Sequence, residues 1–219
     1  MNRLLPLALA LVAVIGAGAW YFTQSSSTPF ELPGAADAQS ADVDTSTVEE
    51  MVLGNADAPV EVIEYASYTC PHCATFHAGA YNQLKADYID SDRIKFTYRE
   101  VYFDKYGMWA SMIARCEPTK FFGITDMLYK GQKDWARAES EAAIADNLRK
   151  IGLTAGIEKD QLEACLSDGD KLRTLVAWFQ ENEEEHGIRS TPSFVIDGKT
   201  YQNMPYDEMK GLIDAALGS

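Results

Sequence analysis

Basic residues are in short supply. Nineteen lysines and arginines stand against 33 aspartates and glutamates in 219 residues, a formal net charge of −14. No basic surface is evident that could release counterions from a phosphate backbone, which argues against nucleic acid as a partner. The acidity otherwise bears on solubility and identifies no partner by itself. No internal repeat is visible, so nothing suggests a solenoid or a propeller. Cysteines number four, and only Cys70 and Cys73 lie close together. A zinc ribbon needs a second paired motif, and Cys116 and Cys165 are isolated. Haem attachment needs a histidine directly after Cys73, where Ala74 stands.

What is present fits one sizeable domain with accessories. The 47% hydrophobic and 24% charged composition is ordinary for a packed globular core. Residues 1–23 differ in kind: Arg3 is the only charge before an apolar run from Leu4 to Phe22. Small residues Ala17-Gly18-Ala19 offer a cleavage site, as a signal peptide would have. The run is also long enough, at about 1.5 Å per residue, to serve as a membrane anchor. Either way the rest of the chain is expected outside the cytoplasm, where disulfides persist. Residues 24–48, rich in Ser, Ala, Asp and Thr, read as a flexible linker that cannot bury enough surface to order itself.

The domain proper is expected over 49–219. Met51-Val52-Leu53 suits a short edge strand. Val60 to Ala66 is β-branched and aromatic, as in a largely buried strand. From Pro71 the apolar residues Cys73, Phe76, Ala80 and Leu84 recur at helical spacing. Arg93 to Val101 alternates and predicts a second strand, giving a βαβ unit. A helical insertion follows at about 104–187, with apolar stripes such as Ile144, Leu148 and Ile151, and Gly187 as a C-cap. Ser193–Ile196, the turn Asp197-Gly198, Lys199–Tyr201 and a final amphipathic helix make a ββα half. The fold class is α/β.

Two cysteines at positions 70 and 73, at the start of a helix, place two sulfurs within disulfide distance. The first faces free backbone N–H groups and the positive helix end, which favours a thiolate below the free value of roughly 8.5. His72 can add positive charge or a hydrogen bond. A stabilised thiolate makes the corresponding disulfide a stronger oxidant. Cys73, one turn deeper, should be shielded. An inert staple is a poor alternative, since so short a loop contributes little as a crosslink. Among the other histidines, His77 reads as a helix-surface residue and His186 as a helix C-terminal cation. For Cys116 and Cys165, both on apolar helix faces, the alternatives are buried free thiols or a bridge; an oxidising compartment favours the bridge.

The segment Val62-Ile63-Glu64-Tyr65-Ala66-Ser67-Tyr68-Thr69-Cys70-Pro71-His72-Cys73 resembles the active-site segment of the DsbA family of thiol–disulfide oxidoreductases, and Ser190-Thr191-Pro192-Ser193-Phe194-Val195 resembles its cis-proline loop. The resemblance covers the chain from about Met51 and implies a thioredoxin fold with an inserted helical domain. It implies that Cys70 exchanges with substrate, that Cys73 is its buried partner, and that Thr191 and Pro192 hold an extended substrate strand by backbone pairing. Glu64 matches the family's buried acid, which passes a proton as Cys73 changes state. Some relatives carry a second disulfide in the helical domain, as Cys116 and Cys165 would. The implied substrates are reduced exported proteins in the periplasm, and the implied reoxidant is a DsbB-like membrane protein. No bound cofactor and no metal are called for. Thr191 departs from the valine of the best-known oxidases and matches isomerase and reductase relatives, so the direction of exchange stays open. A periplasmic metal-binding role for Cys70, His72 and Cys73 is the rival from another class.

Overall fold

The computed structural model describes residues 43–218. The apolar run Leu4–Phe22 and most of the linker lie outside them. Among the described residues no helix is long and apolar enough to cross a membrane.

A five-stranded sheet in the order β1-β3-β2-β4-β5 organises this unit. Strand β1 is Met51–Gly54, β2 Glu61–Ala66, β3 Lys95–Glu100, β4 Ser193–Ile196 and β5 Lys199–Gln202. β2 lies parallel to β3 and antiparallel to β4, which makes it the central strand. Its last five residues are all buried, which explains its near-continuous apolar sequence. Strand alternation sorts its side chains. Val62 and Ala66 join the larger core, while Ile63 and Tyr65 join a second cluster with Val101, Ile188 and Val195. Glu64 shares the parity of Val62 and Ala66 and therefore the face covered by helix α1, Pro71–Ala78.

Where a continuous helix was expected from Pro71 to Leu84, the structure breaks at Gly79, whose φ of −131° and ψ of −89° leave the helical region. Glycine is the residue that most easily permits this. The short α2, Ala80–Leu84, follows and passes into a π-helical turn over Lys85–Ile89. The β4–β5 hairpin turns at Asp197 and Gly198, with φ of 49° and 73°, the left-handed pair that a two-residue turn requires.

The insertion contains α3 (Lys105–Ala114), α4 (Phe121–Lys130), α5 (Gln132–Trp135), α6 (Glu141–Thr154), α7 (Lys159–Ser167) and α8 (Gly169–His186). Gly187, at φ 62°, ends α8 in the left-handed conformation. The closing helix α9 spans Tyr206–Leu217. Cys116 and Cys165 are joined by a disulfide with Cα atoms 5.6 Å apart, tying α7 to the end of α3. A buried ion pair anchors the insertion to the sheet. Arg115 Nε donates to Glu100 Oε1 at 2.6 Å and Nη2 to Oε2 at 2.7 Å, while Nη1 reaches the carbonyl of Glu49 at 2.8 Å.

The expected linker ends earlier than its composition implies. Thr45 donates to Glu181 of α8 at 2.7 Å, and Glu50 pairs with Arg99 of β3. The chain is thus held against the domain before β1 begins.

Candidate active site

Cys70 is the N-cap residue of α1, with extended backbone angles, and Pro71 occupies the first helical position where a missing N–H costs nothing. Both Cys70 and Cys73 carry free thiols. Cys70 is 9% exposed and Cys73 is wholly buried. One turn of helix therefore separates a largely buried cysteine that keeps some exposure from one that has none.

Their proton affinities move in opposite directions. The Cys70 thiol is lowered to about 5, chiefly because the Cys73 S–H donates to its sulfur. Burial opposes this, while Thr191 and the backbone N–H groups of Cys73 and His72 add to it. The Cys73 thiol is pushed far up, first by burial, then by the hydrogen bond and charge of Cys70 and by the charge of Glu64. The helix N-terminus thus acts on Cys70 through two particular N–H groups. His72 contributes one of them, and its ring stands exposed.

Across the sulfur lies the loop before β4. The Thr191–Pro192 peptide is cis, and Cys70 Sγ sits 3.4 Å from the Thr191 carbonyl oxygen. Thr191 Oγ1 is buried and meets no partner at full hydrogen-bonding geometry, though it lies near enough to favour the Cys70 thiolate. Thr191 and Pro192 are thereby brought beside the Cys70 sulfur.

Glu64 is 0% exposed beneath α1, and its partner is His77. The imidazole Nε2 lies 3.0 Å and 3.1 Å from the two carboxylate oxygens. His77 is therefore not the surface residue expected from sequence: its side chain is 8% exposed and stacks on Tyr129 with ring centroids 4.2 Å apart. The available signal was its spacing. Four residues after Cys73, it shares the face of the buried cysteine. His186, at the end of α8, bonds the Tyr65 hydroxyl at 2.6 Å on the opposite face of the sheet.

Two further residues shape the loop before Cys70. Gln132 Nε2 donates to the carbonyls of Tyr68 and Cys70 at 2.8 Å and 2.9 Å. Asp104 accepts from Thr69 Oγ1 at 2.7 Å through one oxygen, and caps α3 through the other by accepting from the N–H groups of Tyr106 and Gly107. Neither was singled out from sequence. Among the described residues, no three His, Cys, Asp or Glu side chains converge as a metal-binding group, so Cys70, His72 and Cys73 do not form one.

A family model described as thioredoxin matches residues 46–215. A Rickettsia bellii protein named as a protein-disulfide oxidoreductase is 33% identical over 170 residues, which take in 77% of this chain and 64% of that one. The chain spans between 60% and 64% of the length of the Rickettsia relatives it matches. Disulfide bond formation protein D of Bacillus subtilis is 28% identical over 172 residues, covering 76% of each chain. Among solved structures, Wolbachia pipientis alpha-DsbA1 superposes with a TM-score of 0.71 over 78% of this chain and 92% of that one; at 24% identity this likeness is one of fold. The sheet with an inserted helical domain is that fold.

Proposed function

The chain belongs to the thioredoxin family, in its DsbA-like branch of thiol–disulfide oxidoreductases, and from that premise we propose that it introduces disulfide bonds into exported proteins. The observation that carries the direction is the division of proton affinity between the two sulfurs. Cys70 is lowered to about 5 beside a wholly buried Cys73. A leaving group of low proton affinity departs easily, and a stable thiolate favours the reduced enzyme, so the enzyme's own disulfide is the oxidant.

The cycle starts from the Cys70–Cys73 disulfide. A substrate thiolate attacks Cys70 Sγ, the bond to Cys73 breaks, and its electron pair goes to Cys73 Sγ. A second substrate thiolate then attacks the substrate sulfur of the mixed disulfide. Cys70 leaves as thiolate, the substrate holds a new disulfide, and the enzyme is reduced by two electrons. The backbone at Thr191, beside the sulfur and just before β4, would pair with an extended substrate segment. Glu64 would serve Cys73 as its proton partner. An extracytoplasmic, periplasm-like location fits the Cys116–Cys165 bridge, and a DsbB-like membrane oxidase would restore the active disulfide.

The test is a redox titration of Cys70 and Cys73 together with oxidation of a reduced, unfolded protein, using Cys70→Ser as control. The oxidase reading expects a potential well above that of thioredoxin, roughly −270 mV, and catalytic turnover lost in the control. A potential at the thioredoxin value makes the chain a reductase, and turnover that survives Cys70→Ser removes the site altogether.

A further inference from the structure

Opening the Cys70–Cys73 bond leaves an electron pair on a sulfur with no access to solvent. Cys73 is 0% exposed, and burial raises its thiol strongly, so the proton it needs must arrive through the protein. The ionisable groups around Cys73 and Glu64 narrow the choice. Tyr129 of α4 and Tyr98 of β3 join hydroxyls at 2.7 Å, and burial holds both phenols well above their ordinary range, as it does Tyr81 of α2. None of the three gives up a proton near neutrality. What remains is Glu64 of β2, whose charge acts on Cys73, and the imidazole bonded to it. Asp126 and Asp90 act on this neighbourhood only at longer range, through Tyr81.

We propose that His77 is the positioning residue and the water-side end of a proton relay to Cys73, running from solvent through His77 and Glu64. The geometry fixes each part. His77 Nε2 faces both oxygens of Glu64, so a proton on either partner lies on the line between them. The ring is held against Tyr129 at 4.2 Å and Tyr81 at 4.5 Å, which leaves little freedom to turn away. Its 8% exposed side chain is the pair's contact with water, because Glu64 has none. Histidine is the side chain whose ordinary proton exchange spans neutral pH.

The step balances as follows. When a thiolate displaces Cys73 from Cys70, one S–S bond forms and one breaks, and Cys73 Sγ gains the electron pair. Glu64 transfers a proton to that sulfur, His77 Nε2 replaces it on Glu64, and water replaces it on His77. On reoxidation each proton moves back. No electron acceptor is needed beyond the active disulfide. The inference rests on the redox reading of Cys70 and Cys73 and adds to it how the buried sulfur is served.

The experiment compares the full chain with His77→Gln, Glu64→Gln and the double variant E64Q/H77Q. It measures the rate at which dithiothreitol reduces the Cys70–Cys73 disulfide from pH 5 to 9, alongside thermal stability. His77→Gln alone removes the imidazole that bonds both oxygens of the buried Glu64, so some loss of stability is expected. The double variant is neutral and regains stability, yet has no group to move a proton. The relay expects reduction slowed by ~10-fold or more in H77Q and in E64Q/H77Q, with a pH profile that departs from the parent's. A double variant that regains both stability and the parental rate and profile overturns the proposal, because the pair then serves folding alone. Loss of the redox reading gives a different result: exchange would then persist in Cys70→Ser, whatever residue stands at 77.

Discussion

The carbonyl oxygen of Cys70 lies 2.9 Å from the side-chain amide nitrogen of Gln132, a residue 62 positions later in the inserted helical domain. The same amide holds the carbonyl of Tyr68 at 2.8 Å. One buried side chain from the insertion therefore fixes both ends of the turn that delivers Cys70 to the start of α1.

Replacing Gln132 with Met keeps the length of the side chain and removes its donors. Two buried carbonyls lose a partner, which should cost ~1–3 kcal/mol of stability in urea denaturation. The reactive sulfur should lose alignment with the N–H groups of His72 and Cys73, raising the Cys70 thiol from about 5. Thiolate ultraviolet absorbance followed against pH measures that rise. An unchanged titration would mean that α1 alone sets the sulfur's position.

Cys70 in the reduced protein should react with iodoacetamide half-maximally near pH 5, and Cys73 should not react in the folded state. The folded value lies below the unfolded one of roughly 8.5, so ionisation stabilises the reduced fold most fully above the unfolded value. That contribution falls away as pH drops through 5. The disulfide form has no such titration. Between these limits two electrons should carry one proton, and the midpoint potential should fall by ~30 mV per pH unit, doubling in steepness below pH 5. A steeper slope across neutrality would show that Cys70 is protonated there.

Much of this architecture is written locally. The β2 strand announces itself by β-branched and aromatic residues, α1 by a proline after Cys70, and the hairpin by Asp197-Gly198. The position of Thr191 and Pro192 beside the sulfur came through family resemblance, since nothing in the local pattern links residues 70 and 191. A polar residue on a short helix, such as His77, looks solvated in sequence until its partner, Glu64, is known to be buried. The partner sits on another element, and only the fold reveals it. Gln132 and the Glu100–Arg115 pair were hidden for the same reason. Their chemistry is ordinary in isolation and depends on what the chain brings against them. The segment from Val43 to Val48 has a linker's composition, yet Thr45 bonds Glu181 and Val48 packs against the cluster of Tyr102, Met112 and Leu175.

Arg115 is expected to be the most sensitive polar residue of the inserted domain. Arg115→Met removes the cation and leaves Glu100, 1% exposed, without its charged partner. Removing one half of a buried pair costs ~3–5 kcal/mol, whereas E100Q/R115M leaves no buried charge and should recover part of that loss. Chemical denaturation of both variants decides between them. If the single and double variants lose equally, the unpaired Glu100 charge is not what costs stability, and the guanidinium's other contacts, such as its bond to the Glu49 carbonyl, account for the loss.

The Cys116–Cys165 bridge has a separable role. It spans 49 residues and joins α7 to the end of α3 within the insertion. Closing a loop of that size limits the unfolded chain by about 4 kcal/mol in the chain-entropy model. Cys116→Ser together with Cys165→Ser should therefore lower stability by up to that amount. The active-site turn would keep its Gln132 and Asp104 anchors, neither of which involves the bridge. The Cys70 thiol should accordingly still titrate near 5 in the double-serine variant, at a temperature where it remains folded. A displaced titration in a folded double-serine variant would mean that the crosslink reaches the reactive sulfur through the helices between them, and the bridge would then belong to the redox machinery as well as to the scaffold.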